Sequence, residues 1–255
     1  MSGVHFAAAT GFGRAGSDYE RGRPGYPDAA VTTMGRELGI GPGRTVLDLA
    51  AGTGKLTRSL TRFGARLVAV EPVAGMREQL VGSVPDVEAL DGTAERIPLS
   101  DGEADTVVVA QAFHWFDAVR ACAEIHRVLR PDGGLGVIWN SWDESVPWVA
   151  DVQAIVHEHA GGVPRQASSD WQRKLAATGL FTPPVEGEFP NVMRGDLEVL
   201  LARVASTSYI AALDPAELEA VCRRVRAVVA AMRPALRNEE FEMPYLTRLL
   251  CCRRR

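Results

Sequence analysis

VLDLAAGTGKLT, residues Val46–Thr57, decides the fold of this chain. With Thr45 its first half is a short apolar strand, and its second half is a tight glycine turn that opens a helix over Lys55–Phe63. Glycines in such a turn let backbone N–H groups approach a ligand closely. An acidic residue, Glu71, ends the next apolar run 19 positions after Gly52. That is the spacing at which a carboxylate receives ribose hydroxyls in nucleotide-binding α/β folds. The loop alone is a weak signal; the loop and the acidic strand end together are a strong one.

The same strand-then-helix unit repeats outward from this loop. Ala30, Val31, Met34 and Leu38 share one apolar face, predicting a helix over Asp28–Leu38 that the turn Gly39–Gly43 ends. Downstream the pattern predicts strands at Arg66–Val70, Val87–Leu90, Asp105–Ala110 and Leu135–Asn140, with helices near Ala74–Val81 and Val119–Leu129. The PDGG turn, Pro131–Gly134, is expected to separate the last helix from the strand after it. Such alternation implies right-handed crossovers and a largely parallel sheet covered on both faces. In the second half, helical patterns cover Trp148–His159, Ser169–Ala177, Asp196–Ser206 and Pro215–Ala231, and strands are expected at Val185–Val192 and Phe241–Cys252. The simplest organisation is a single domain, 1–255, with an N-terminal arm or lid at 1–27 and a helical insertion at 193–238 between the last two strands.

Composition narrows the class. A hydrophobic content of 46% and a charged content of 24% are those of a soluble globular protein, and a net charge of −4 disfavours a nucleic-acid surface. No apolar run approaches the roughly 18 residues that span a bilayer, and the N-terminus lacks the pattern of a secretory signal. Cys122, Cys222, Cys251 and Cys252 form no CxxC pair and no zinc-spaced cluster, so reduced thiols in a cytoplasm are expected, with no metal. His157 and His159, two apart on a helix, do not share a face. Arg223, Arg224 and Arg226 read as a solvated helix face.

Two ligands suit the glycine loop, a nicotinamide dinucleotide or S-adenosylmethionine. The dinucleotide pattern GxGxxG wants a third glycine where this chain has Thr57, and acidic Asp48 precedes the turn. Pyrophosphate prefers a helix N-terminus without a neighbouring carboxylate, whereas an ammonium and a sulfonium are attracted to one.

The chain resembles the class I S-adenosylmethionine-dependent methyltransferases, in particular the small-molecule group that includes trans-aconitate methyltransferase. The resemblance rests on YERGRPGYP (Tyr19–Pro27), VLDLAAGTGKLT, VAVEP (Val68–Pro72), GTAERIPL (Gly92–Leu99), AQAFHWFD (Ala110–Asp117), RVLRPDGG (Arg127–Gly134) and the closing EMPYLTRLLCCRR (Glu242–Arg254). It implies a Rossmann-like seven-stranded α/β sheet in the order 3-2-1-4-5-7-6, with strand 7 antiparallel. It also implies that Asp48 and the backbone of Ala50, Ala51, Gly52 and Gly54 hold the amino-acid moiety of the donor. Glu71, beside Pro72, takes the ribose; Met76 covers the adenine, and Thr93, Ala94 and Glu95 meet its edge. Ala110 and Gln111 lie at the methionine end. The arm itself is too polar and glycine-rich to be core, and as a lid it offers Tyr19 as a hydrogen-bond partner of the cofactor and Arg23 as a partner for a carboxylate of cofactor or acceptor. Two positions depart from the pattern. Ala50 stands where many relatives have Gly, so the loop must keep φ negative there or accept strain, and Thr93 stands where many have Asp.

Methyl transfer from a sulfonium is an in-line displacement, so the enzyme mainly aligns donor and nucleophile and excludes water. A carboxylate acceptor is already ionised near pH 7, whereas a phenol needs a base. His114, after the fourth strand, is the candidate for substrate orientation or proton acceptance, and otherwise packs between Phe113 and Trp115. Tyr26 and Trp115 are candidate acceptor contacts, and Ser206–Tyr209 lie where they could line the acceptor pocket. The expected activity is O-methylation of a small-molecule carboxylate or phenol. A relative that binds the donor without transferring methyl, either a regulatory module or a cyclisation or elimination enzyme, is the alternative. QAFHWF (Gln111–Phe116) stands where nucleic-acid amino-methylating enzymes carry an Asn/Asp-Pro-Pro-aromatic motif, which argues against that subgroup.

Overall fold

The structure is a computed structural model, and it describes residues 23–161, 170–232 and 240–255. Seven strands form one sheet in the order β3-β2-β1-β4-β5-β7-β6. They are β1 Thr45–Leu49, β2 Arg66–Val70, β3 Glu88–Leu90, β4 Ala104–Ala110, β5 Leu129–Trp142, β6 Val185–Gly195 and β7 Phe241–Arg253. The first five pair in parallel. Strand β7 runs antiparallel to β5: Arg254 N donates to Gly133 O and Asp143 N to Pro244 O, so residue numbers rise on one strand as they fall on the other. This is the sheet order and the reversed seventh strand that the resemblance implies.

The chain divides into two compact units. One comprises residues 26–139, 164–189 and 247–255, and it holds the glycine loop. Its helices are α1 Asp28–Leu38, α2 Lys55–Leu60, α3 Ala74–Ser83, α4 Ala118–Val128 and α6 Asp170–Ala177, with a 3-10 turn at Thr61–Phe63 and another at Phe113–Trp115. Period-two alternation sends neighbouring strand residues into two separate cores. Leu47, Leu49, Val68, Val70, Val107 and Val109 pack with Ile125 and Val128 of α4. Val46, Leu67, Ala69 and Val108 pack with Val31, Met34 and Leu56 of α1 and α2. Cys252 belongs to the first cluster and Cys251 to the second, as their adjacency in a strand requires.

Helix α1 ends where expected, because Gly39 takes φ 67° and its N–H bonds back to the last turn. The PDGG segment behaves differently from expectation. It lies inside β5, with Leu129 already paired to Ala104 and Gly134 to Thr106. Five steps along β5 therefore oppose two along β4, so the segment bulges from the strand.

The other unit comprises residues 1–25, 140–163 and 190–246. Its described helices are α5 Pro147–His157, α7 Leu197–Ala205 and α8 Pro215–Met232. Val149, Val152 and Val156 of α5 pack with Leu200 and Val204 of α7, Val221 and Val225 of α8, and Met243 and Tyr245 of β7. Arg224 on the exposed face of α8 pairs with both carboxylate oxygens of Glu158, and Arg226 pairs with Glu219. Among the described residues no helix is long and apolar enough to cross a membrane.

Candidate cofactor and acceptor site

The carboxyl ends of β1, β2 and β4 bring together most of the predicted cofactor residues. Asp48 lies on β1 and is almost wholly buried. Its Oδ2 accepts a 2.6 Å hydrogen bond from Thr57 Oγ1 in α2, while Oδ1 is buried with no hydrogen-bond partner. Burial, offset in part by the Thr57 hydroxyl, pushes the Asp48 carboxyl up to about 7, and the nearby Glu71 carboxylate adds to the rise.

After Asp48 the chain turns sharply. Ala50 takes φ 57°, so the sequence-level alternative resolves to strain: this non-glycine residue sits in the left-handed region. Ala51 N donates to Val70 O, and Gly54 N donates to Ala51 O. Gly54 caps α2 at φ 83°, where a Cβ would come within 3.0 Å of Leu80. Gly52, at φ 58°, points its N–H to Glu71 Oε2 at 2.9 Å.

Glu71 follows β2 and is buried. Its Oε1 accepts from Val73 N at 2.9 Å, and Arg77 donates to its backbone carbonyl at 2.6 Å. Burial raises the Glu71 carboxyl above its ordinary value, although the Val73 and Gly52 amides oppose the rise. Pro72 occupies the turn, and Met76 is buried in the first part of α3. Thr93 and Arg96 exchange backbone hydrogen bonds, which shapes the Thr93–Arg96 turn with Ala94 buried inside it. Glu95 Oε1 accepts from Asp117 N at the start of α4. Glu124 and Arg127 of α4 pin the same segment: Glu124 accepts from Ile97 N, and Arg127 donates to the carbonyls of Ile97 and Leu99.

At the end of β4, Ala110 is followed by Gln111 at φ 61°, whose N–H donates to Ile138 O. His114 lies in the 3-10 turn beyond, half-buried, with its ring 4.8 Å from that of Trp115. Gln111, Phe113, His114, Ile138, Trp139 and Trp171 line a small cleft. Trp171 stacks edge-on against Trp139 and tilted against Phe113.

Three predicted residues remain, Tyr26, Arg23 and Tyr19. Tyr26 is half-buried against the core that includes Val31, Met34 and Leu38. Arg23 belongs to the other unit, where its Nη2 donates to Ser206 O at 3.2 Å. Tyr19 lies outside the described residues. Sequence reasoning missed the Thr57 hydroxyl, which it read only as an absent glycine, and Trp171, which looked like one more helix residue. A buried-face carboxylate nine residues before a threonine that opens a helix was the available signal for the first.

These residues fit a cationic ligand. Two buried carboxylates face the turn, and both are raised toward neutrality by burial. A positive group relieves that cost, and a pyrophosphate adds to it. The fold and the site define a class I S-adenosylmethionine-dependent methyltransferase, with S-adenosylmethionine as its cofactor.

The comparisons agree. The methyltransferase domain family matches residues 47–137. An uncharacterized methyltransferase of Mycobacterium tuberculosis is 39% identical over 244 residues, which is 92% of each chain. An uncharacterized methyltransferase-like protein of Schizosaccharomyces pombe is 32% identical over 232 residues, covering 91% of this chain and 90% of that one. Among solved structures, a methyltransferase ascribed to an antibiotic biosynthesis pathway of Anabaena variabilis superposes with a TM-score of 0.62 at 23% identity. It covers 86% of this chain and 95% of the other, a likeness of fold. The chain belongs to this methyltransferase family.

Proposed function

We propose that the protein transfers the methyl group of S-adenosylmethionine to an oxygen of a small-molecule carboxylate or phenol. The pair of buried carboxylates, Asp48 and Glu71, about one glycine turn carries the donor half of this reading. When bound, the donor supplies an electrophilic methyl on a sulfonium, open to in-line displacement. In this reading Asp48, with its unpartnered Oδ1, takes the donor's ammonium, and the Ala50–Gly54 backbone cradles the amino-acid end. Glu71 takes the ribose hydroxyls, and Met76 with the Thr93–Glu95 turn encloses the adenine. Ala110 and Gln111, at the bend that ends β4, lie beside the methionine end.

His114 is assigned to the acceptor. A half-buried imidazole beyond the carboxyl end of a central strand is placed where open α/β sheets receive ligands. For a phenol it would take the hydroxyl proton, and for a carboxylate it would orient an oxygen that is already ionised. The aromatic cleft of Phe113, Trp139 and Trp171 supports an environment that excludes water around the reacting oxygen. All four cysteines are buried and unpaired, and burial pushes Cys122, Cys251 and Cys252 up to about 12. Such thiols favour a cytoplasmic setting for the enzyme.

The test is a panel of carboxylates and phenols incubated with isotopically labelled donor and read by mass spectrometry. An O-methyl product formed with stoichiometric S-adenosylhomocysteine is the expected result. Label appearing on carbon or nitrogen in place of oxygen would overturn the assignment.

A further inference from the structure

Thr57 stands where a dinucleotide loop carries its third glycine, and it brings a hydroxyl that glycine lacks. It lies in the first turn of α2 and is wholly buried. Its Oγ1 reaches back to β1 and donates to Asp48 Oδ2 at 2.6 Å. That length is typical of a hydroxyl donating to an ionised carboxylate. The Thr57 backbone favours the ionised carboxyl as well.

The rest of the Asp48 surroundings leave little else to hold the carboxyl. In the sheet Asp48 is flanked by Ala69 of β2 and Val108 of β4, and α1 brings Val31 and Met34 to that core. None of these residues titrates. Glu71, at the end of β2, is the charge that acts on Asp48, and Glu71 in turn feels Arg77 of α3 and Asp91. Helix α2 also carries Lys55 and Arg58, and Arg58 donates to Thr53 O and Ser83 Oγ. Asp48 Oδ1 is buried without a hydrogen bond, so one carboxylate oxygen is satisfied and the other has its acceptor capacity unspent.

We infer that Thr57 is a positioning residue of the donor site: its hydroxyl occupies Asp48 Oδ2, fixes the carboxyl plane and leaves Oδ1 as the oxygen presented to the donor's ammonium. A hydroxyl donates more strongly to a charged oxygen than to a neutral one, so the same bond favours the form of Asp48 that attracts a cation. The residue that breaks the dinucleotide pattern thereby builds the cation site. The inference rests on the reading of Asp48 as the partner of the ammonium, and it adds which oxygen meets that group and what holds it there.

Calorimetric titration of the whole chain with two ligands tests the role apart from catalysis. S-adenosylhomocysteine shares the donor's ammonium, whereas 5′-methylthioadenosine keeps the adenosine and lacks the amino-acid end. Thr57→Val should weaken S-adenosylhomocysteine on the order of 10-fold at pH 7, the scale of one hydrogen bond to a charged group. Between pH 5.5 and 8.5 the rise of affinity with pH should move to higher pH in this variant, because the ionised carboxylate has lost a donor. Thr57→Ser should recover most of the affinity and restore the pH profile, and 5′-methylthioadenosine should bind parent and variants alike. Thr57→Ala supplies a second side chain without the hydroxyl if Thr57→Val does not fold, and thermal melts establish which variants are folded. The role is overturned if the folded variants without the hydroxyl bind S-adenosylhomocysteine as the parent does, if they weaken it by one factor at every pH, or if they weaken 5′-methylthioadenosine equally. Asp48→Asn separates the two readings. Unchanged S-adenosylhomocysteine affinity in that variant rejects the ammonium assignment and the role of Thr57 with it, whereas a loss there without one in Thr57→Val rejects the role of Thr57 alone.

Discussion

Ala50 and Gln111 both adopt left-handed backbone, at φ 57° and 61°, beyond the carboxyl ends of two adjacent parallel strands. They are the positive-φ residues other than glycine among those described. An L-residue in this region carries roughly 1–2 kcal/mol of strain, and such strain concentrates at ligand-binding turns. Ala50→Gly should therefore stabilise the donor-free protein by about 1 kcal/mol in urea denaturation. A lower midpoint for the glycine variant would show that Ala50 is not strained.

Asp48 makes the unliganded protein sensitive to pH. Its carboxyl is raised from 3.8 to about 7 in the fold, so between these values the native state holds a proton that the unfolded chain has released. Stability should accordingly fall as pH rises from about 4 to about 7, and then level off. Donor affinity should move the opposite way, rising through pH 7 as the carboxylate ionises to meet a cation. Asp48→Asn should flatten both trends and weaken donor binding; thermal melts and calorimetry at pH 5.5 and 8 check the two slopes. A donor affinity independent of pH in the parent would remove Asp48 from ammonium recognition.

Glu71, proposed to take the donor's ribose, is tied to the turn through Gly52 N. Glu71→Ala removes this acceptor and any charged hydrogen bonds to the donor, and should cost about 1–3 kcal/mol of donor affinity. Calorimetry decides; an unchanged Kd would reject the ribose role.

His114→Ala should depress turnover by about 10²-fold with a phenolic acceptor, the usual scale for a lost general base, with little change in donor Kd. With a carboxylate acceptor the loss should be smaller and appear largely in KM. Equal kcat with both acceptors would return His114 to packing against Trp115.

Asp105, at the start of β4, accepts from Thr45 N at 2.8 Å and pairs with Arg44 and Arg130. Burial raises its carboxyl, but the Thr45 amide and the two guanidiniums outweigh burial and hold it below 3.8. The stability it contributes is present above the unfolded value and is lost as pH falls through the lower folded value. Asp105→Ala should cost about 1–3 kcal/mol at pH 7 by leaving the buried Thr45 amide unpaired, and should leave donor affinity intact. Urea denaturation at pH 7 measures the loss.

The alternation of the strands determined most of the architecture. Buried parallel strands must read as short apolar runs, and Val46–Leu49, Arg66–Val70 and Ala104–Ala110 do so. Among the paired strands β1 to β5 the register is lost at PDGG, because a proline-glycine turn signal is local. Whether it ends a strand or bulges from one depends on the partner strand, and Ala104 pairs with Leu129 before the turn.

The glycine loop of Val46–Thr57, the acidic end of the next strand at Glu71 and the order of elements were legible from local spacing alone. They required no knowledge of what lies opposite. The raised carboxyl of Asp48, the left-handed turn at Ala50 and the capture of Asp48 by Thr57 were decided only by tertiary structure. Each depends on burial and on partners distant in the chain, or on a backbone angle that closure of the turn imposes. Desolvation and hydrogen-bond geometry have no signature in the spacing of residues along a sequence.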